Sequence, residues 1–247
     1  ELQLGATSET RAKGGDVQLA GKTVATRGTV EAKRVRVTAE DLRHEGTIAA
    51  PGGLIEISAE GIALIAGVLD ASDPSGAGGT VEVTADSVSL QGATVDASGG
   101  TQGGTVHLGG GWQGGGDLAH AREVLVDAGS VVRANGGAGQ GGEIVLWSTG
   151  RTDHQGLLEA RSGGRIEVSS QGVMTVAGEI DPGPGGEVLF DPKNLIIQWT
   201  EIPPSIGVDE ATFAANPDAT SYIWPSTITD LLIKQVDVTL QANNDIW

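Results

Sequence analysis

Residues 141–146 read GGEIVL, residues 163–168 read GGRIEV and residues 185–190 read GGEVLF. Each phrase is a Gly-Gly pair, one further residue and a short strand with apolar residues at alternate positions. The same phrase recurs along the chain, and the Gly-Gly pairs end at Gly15, Gly53, Gly79, Gly104, Gly142, Gly164 and Gly186. A further strand, 35–37, lies in the long first interval. Self-similarity at about 20 residues is the signature of a solenoid.

Each repeat carries two more apolar phrases. The second is a strand such as 62–65 or 88–90, and the third has the form Gly-x-Φ-x-Ala, with Φ aliphatic, as in 67–71 (GVLDA). Period two turns every other side chain inward, and equivalent strands of stacked coils pair in parallel about 4.8 Å apart. We therefore predict an all-β fold, a right-handed parallel β-helix with three strands per coil and about 20–25 residues per coil.

Two intervals break the pattern. Residues 109–120 read GGGWQGGGDLAH and are predicted to form a loop insertion that leaves the coil. Residues 199–235 are rich in proline and aromatic residues and lack period two until Leu231, so we predict an excursion packed on the side of the helix. The expected organisation is β-helix over 1–198, extra-helical excursion over 199–235 and return to the β-helix over 236–247. The one helix candidate is 209–215.

Composition narrows the function classes. The net charge of −17 disfavours nucleic acid and anionic membrane surfaces as partners, because both repel such a chain. No apolar run approaches the roughly 18 residues of a membrane span. There is no cysteine, so disulfides do not hold the fold. Aromatic residues are only 3% of the chain, which suits a narrow solenoid filled by aliphatic side chains. Both ends fall in strand-like phrases, so we expect a piece of a longer protein.

Several longer phrases resemble filamentous-haemagglutinin-like exoproteins of two-partner secretion. They are 104–114 (GTVHLGGGWQG), 126–129 (VDAG), 141–148 (GGEIVLWS), 189–197 (LFDPKNLII) and 238–246 (VTLQANNDI). The resemblance covers about 80–247 by phrase and the rest by repeat pattern. It implies a large bacterial β-helical protein that is secreted or held at the cell surface, and that is exported through an outer-membrane partner transporter. The family's N-terminal secretion domain and any C-terminal effector are not recognised, so an interior shaft segment is expected.

Two columns of outward positions follow from aligning the repeats. The third phrases stack Glu31, Ala49, Asp70, Asp96, Arg133, Glu159 and Asp181. The first strands stack Gln18, Arg36, Glu56, Glu82, His107, Val145, Glu167 and Leu189. Repeated carboxylates suit Ca²⁺, which takes six to eight oxygens, or the acid/base and metal site of a polysaccharide lyase. The favoured interpretation is that both columns are solvated, because like charges stacked in water repel by only about 1 kcal/mol. We therefore predict no cofactor, with calcium as the weaker alternative.

No catalytic or metal motif stands out. The four histidines, His44, His107, His120 and His154, lack the spacing of HxH or HExxH ligands, and no GxSxG nucleophile elbow occurs. Glycine-rich strings near 109–116 and 136–142 lack the following helix that nucleotide binding needs. The chain is therefore predicted not to be an enzyme.

Exposed aromatic residues are the remaining candidates for ligand contacts. Trp112, Trp199, Tyr222 and Trp224 are the residues that would stack on sugar rings. The competing interpretation is structural: Trp147 caps a coil interior or packs under the 109–120 loop, while Trp199, Tyr222 and Trp224 anchor the excursion.

The sequence thus favours a structural, presenting segment of an adhesin-like exoprotein, with host or matrix glycans as candidate partners for its loops. A subunit of a head-to-tail fibre or envelope layer, with end-to-end self-association, is the alternative. A lyase-type β-helix enzyme is the least favoured, because the basic residues do not cluster around paired acids.

Overall fold

The chain winds into a parallel β-solenoid, as seen in a computed structural model that describes residues 1–197 and 220–246. Its strands join into one continuous parallel sheet that wraps around an aliphatic core. Each coil contributes three strands, which stack on the equivalent strands of the coils before and after. The predicted all-β, parallel β-helical fold is confirmed.

The strands fall on three faces. Three long strands turn corners between faces: β2 (Glu9–Thr26), β3 (Thr29–His44) and β14 (Glu143–His154). The first face holds β5 (Leu54–Ala59), β8 (Thr80–Thr84), β11 (Thr105–Leu108), β16 (Arg165–Ser170), β19 (Glu187–Asp191) and β22 (Asp237–Leu240). The second holds β1 (Leu2–Leu4), β6 (Ile62–Ile65), β9 (Ser87–Leu90), β12 (Ala121–Val126), β17 (Val173–Val176), β20 (Leu195–Ile197) and β21 (Ser221–Ile223). The third holds β4 (Thr47–Ala49), β7 (Val68–Asp70), β10 (Thr94–Asp96), β13 (Val131–Arg133), β15 (Leu157–Glu159) and β18 (Glu179–Asp181).

The core is a stack of inward aliphatic columns. On the first face one column is fully buried: Val35, Ile55, Val81, Val106, Ile144, Ile166 and Val188. Burying each such side chain stabilises the fold by about 1.5–3 kcal/mol. Because every coil repeats the same inward positions, the core needs almost no aromatic residue, and Phe190 is a fully buried exception.

The Gly-Gly pairs are needed for two different reasons. At Gly52 and Gly163 the first glycine has a positive φ, +56° and +76°, which residues with a side chain rarely adopt. The second glycine lies against the coil below: a Cβ on Gly142 would come within 1.9 Å of the Gly104 carbonyl oxygen. The pair therefore both turns the corner and lets neighbouring coils stack closely.

The last coils depart from simple sequential stacking. Strand β21 pairs with β17 through Thr175 and Tyr222, and β20 pairs with the far side of β21. The chain therefore places β20 one level beyond a strand that follows it in sequence. Strand β22 then stacks on β19, and Leu195 bridges to Ile246.

The interval 199–235 is described only from residue 220 onward. Within it, β21 belongs to the second face, and helix α1 (Pro225–Ile233) follows with Pro225 in its first turn. That helix was not predicted, while the predicted helix at 209–215 and the aromatic residue Trp199 lie outside the described residues. Leu231 of α1 is buried against the solenoid core. Among the described residues, no helix has the length and apolar character needed to cross a membrane.

Candidate functional site at the 109–120 loop

Both predicted columns exist as stacked registers. On the third face Glu31 pairs with Ala49, and the column continues through Asp70, Asp96, Arg133 and Glu159 to Asp181. On the first face the column runs from Gln18 through Arg36, Glu56, Glu82, His107, Val145 and Glu167 to Leu189. The repeat alignment therefore gives the correct neighbours on both faces.

The expectation that both columns are solvated is wrong in two places. On the third face Glu159 is only 5% exposed, and the first-face column is covered at one end. Val145, Glu167 and Leu189 point outward from the coil, yet each is buried, and Glu167 is 0% exposed. Glu56 and Glu82, at the same register in earlier coils, keep contact with water. The difference is the 109–120 loop, which folds back over the outer surface of the first face.

The loop is held down by Trp147 and by hydrogen bonds. It closes through the Ala121 amide, which donates to the Gly109 carbonyl oxygen at 2.8 Å, and it contains a 3-10 turn at Trp112–Gly114. A Cβ on Gly114 would lie 2.6 Å from the Trp147 ring, and the His120 ring centroid is 4.2 Å from that of Trp147. Of the two structural roles predicted for Trp147, packing under the loop is therefore the observed one.

One polar contact ties the loop to the covered column. The Gln113 amide donates to Glu167 Oε2 at 2.7 Å across a sequence separation of 54 residues. Its side-chain amide reaches Gln241 of the C-terminal region, with Nε2 donating to Oε1 at 3.2 Å. Gln113 adopts φ +53°, which a non-glycine residue rarely does. The residue that bonds the loop to Glu167 therefore has a strained backbone.

Burial sets the electrostatics beneath the loop. It raises the pKa of Glu167 to about 7, with the carboxylates of Asp191 and Glu143 adding to the increase. Ser169 and the Gln113 amide favour the ionised form, but Glu167 Oε1 and Ser169 Oγ are both buried without a hydrogen bond of normal geometry. Burial also raises the pKa of Asp191. Glu167 therefore holds a proton up to about neutral pH.

A pocket of about 500 Å³ opens beside the loop. Trp112 and Leu118 line it together with Glu82, His107, Asp117 and Glu143, and Gly111, Gly115 and Gly116 complete the wall. The Arg165 guanidinium lies 4.5 Å from the centroid of the Trp112 ring, within cation–π range. The sequence-predicted contact Trp112 thus forms part of a concave site.

The side chains of His107, Glu143 and Arg165 contact one another in that order at the pocket. His107 Nε2 lies 2.6 Å from Glu143 Oε1, and Arg165 contacts the other oxygen of the same carboxylate. Burial alone would raise the pKa of Glu143, but the hydrogen bond from His107 and the charge of Arg165 together lower it. Glu143 therefore differs from Glu167, because neighbouring side chains offset the effect of burial on its pKa.

A second, polar groove of about 740 Å³ follows the corner before the first face. Glu143 lines both cavities, so the groove adjoins the pocket. Its remaining wall consists of glycine turns and polar side chains, among them Gln102, Thr105, Gln140, Glu187, Asp237 and Thr239. The sequence did not indicate this groove, because it forms from residues of several stacked coils.

The other predicted aromatic contacts lie elsewhere. Tyr222 is in β21 on the second face, and Trp224 precedes helix α1. Trp112 contacts the first face instead. Tyr222 and Trp112 therefore do not share a sheet face, and Trp199 lies outside the described residues.

The histidines and carboxylates do not gather into a metal site in the described ranges, 1–197 and 220–246. His44 and His154 are core residues: burial lowers the pKa of both, that of His154 to about 4. Their roles are therefore structural, with His44 Nδ1 lying 2.7 Å from Thr26 Oγ1.

Comparison with known proteins supports the fold alone. No protein-family model matches the sequence, and no curated protein sequence matches it either. Among solved structures, the chain is similar to the HMW1 secretion domain from Haemophilus influenzae, with a TM-score of 0.56 and 20% sequence identity. The match covers 86% of this chain and 63% of that structure, so the chain spans less than two thirds of its length.

Proposed function

We propose that this chain is a structural, presenting segment of a large secreted bacterial exoprotein of the adhesin-like class. The observation that carries the proposal is the unbroken parallel ladder from β1 to β22, which builds a stiff rod whose loops are displayed on its outer faces. The phrases that resemble filamentous-haemagglutinin-like exoproteins and the fold shared with the HMW1 secretion domain both support it. The net charge of −17 keeps such a rod soluble and discourages lateral association.

Export through an outer-membrane partner transporter is part of the proposal, and the cell surface or the medium is the destination. The support is the same: the sequence resemblance and the structural similarity to the HMW1 secretion domain. That neighbour also favours a second candidate, in which this chain itself directs export and is not an interior shaft segment.

One experiment separates the two candidates. The full-length exoprotein is expressed in its native cell with and without residues 1–247, and surface protein is measured by antibody labelling of intact cells. Continued export without the segment supports a shaft, whereas trapped protein supports a secretion domain. If the exoprotein that keeps residues 1–247 is itself absent from both the surface and the medium, both candidates are contradicted.

We do not assign an enzyme activity. The carboxyl group of Glu167, whose pKa is raised by burial, lies fully buried beneath the loop, where a polysaccharide chain does not reach it. A head-to-tail fibre subunit remains the alternative to a shaft. Sedimentation over a hundredfold concentration range tests it: a mass that stays at one chain favours the shaft, and a mass that grows favours the fibre.

A further inference from the structure

We propose that the pocket beside the 109–120 loop binds one pyranose unit of an uncharged glycan, with Trp112 as the stacking surface. The proposal deepens the presenting role given above and rests on it for its biological setting. Its physical argument concerns the pocket of about 500 Å³ lined by Trp112, Leu118, Glu82, Asp117 and Glu143.

Trp112 is held in place before any ligand arrives. Its carbonyl oxygen accepts a hydrogen bond from the Gly115 amide at 2.9 Å, and Arg165 lies over its ring. An aromatic ring fixed in this way offers a large flat apolar surface at little entropic cost on binding. The C–H face of a pyranose ring is flat and apolar enough to pack against such a surface.

The pocket does not call for a cationic ligand. Arg165 already provides the cation beside Trp112 and also pairs with Glu143, whose other carboxylate oxygen lies within hydrogen-bond distance of His107 Nε2. A lysine side chain or an amine would compete with an internal guanidinium for both partners. The position over the Trp112 ring and the carboxylate of Glu143 are therefore both occupied by Arg165.

What remains unfilled suits hydroxyl groups. Glu82 and Asp117 line the pocket, and ionised carboxylates only accept hydrogen bonds. Sugar hydroxyls donate such bonds, whereas sulfate or sialic acid would bring a negative charge to these carboxylates on a chain of net charge −17. The combination of an aromatic wall and acceptor-only groups thus selects a neutral saccharide.

The neighbouring groove gives room for a chain of sugars. It has a volume of about 740 Å³, shares Glu143 with the pocket, and presents Gln102, Gln140 and Thr239 as hydrogen-bonding groups. Planar amides and hydroxyls suit the alternating donors and acceptors of a polysaccharide. An oligosaccharide should therefore bind more tightly than the single methyl glycoside that fills the pocket.

The test is saturation-transfer NMR on the purified full chain with methyl glycosides of glucose, galactose and mannose. Sialyllactose and a sulfated disaccharide are measured beside them. The variants are Trp112→Ala, Trp112→Phe and, as an exposed apolar control on the second face, Ile62→Ala. We expect a neutral glycoside to bind, Trp112→Ala to weaken it at least about tenfold, Trp112→Phe to retain part of the affinity, and Ile62→Ala to leave it unchanged.

Thermal melts of each variant show whether the fold survives, and Trp112→Phe keeps the test informative if Trp112→Ala unfolds. Wild-type affinity in a folded Trp112→Ala variant would overturn the proposal. So would loss of binding in Ile62→Ala, a preference for the charged saccharides, or no binding by any neutral glycoside. Because the test uses purified chain, its failure leaves the export experiment untouched.

Discussion

Coils before and after the 109–120 loop share one register but differ on their outer face. Glu56 in the earlier part keeps contact with water and pairs with Arg36, whose Nη2 lies 2.7 Å from its carboxylate. Glu167 occupies the equivalent position in the later part and is 0% exposed, with a pKa raised to about 7 by burial. The same strand position is therefore a solvated charge in one coil and a buried acid in another. What differs is the insertion that covers it, and the repeat itself is unchanged.

The largest expected effect comes from removing the support under the loop. Trp147→Ala should lower the free energy of unfolding by about 3–5 kcal/mol, because it leaves a cavity beneath 109–120. Ser58, exposed on the outer side of the first face before the loop, is the control, and Ser58→Ala should change stability by less than about 0.5 kcal/mol. Urea denaturation measures both. Equal losses in the two variants would mean that the loop does not depend on Trp147.

The second effect concerns pH. The folded pKa of Glu167 is raised from 4.5 to about 7, so its protonated form stabilises the fold fully below pH 4.5. That contribution is lost as pH rises through about 7. Relative to Glu167→Gln, which cannot ionise, the wild type should therefore lose about 3 kcal/mol of stability between pH 4 and pH 8.

Ser58→Ala, which removes no titratable group, provides the comparison in an open coil. It should leave the pH dependence of unfolding as it is in the wild type. Denaturant titrations at several pH values give the three curves, and a Glu167→Gln curve parallel to the wild type would contradict the buried state of Glu167.

The smallest effect is the surface ion pair itself. Glu56→Gln removes the partner of Arg36, and an exposed pair of this kind contributes little to stability because water screens both charges. The loss at neutral pH should shrink further in about 1 M salt, because screening acts on exposed charges. Chemical denaturation at low and high salt checks this. A loss that is large and independent of salt would mean that Glu56 is covered as well.

The coils and their register could be predicted from the sequence alone. Alternation and Gly-Gly spacing predicted the three strands per coil and the neighbours of Glu56, Glu82 and Glu167, because register in a solenoid follows directly from the repeat. The covering of Glu167 was missed, since it depends on a contact with Gln113 far away in sequence. Val145 and Leu189 were the available signal: two aliphatic residues at outward positions of a polar column indicate a covered surface.

The C-terminal region shows the same limit. Insertion of β21 between β17 and β20 is a tertiary arrangement that no local periodicity encodes. Helix α1 could have been predicted from the sequence, because proline is favoured at the first helical position, here Pro225, and no glycine interrupts the nine residues that follow Trp224. The pocket around Trp112 was predicted only in part. The sequence identified its aromatic residue, whereas its depth comes from the folded loop.

Hydroxyl-radical footprinting read out by mass spectrometry tests the loop closure most directly. Trp147 is 5% exposed beneath the loop, whereas Trp112 is partly exposed at the pocket. We expect Trp112 to be oxidised and Trp147 to be protected in the folded chain, with both oxidised after denaturation. Oxidation of Trp147 in the folded chain at the rate of Trp112 would contradict a loop that closes over the first face.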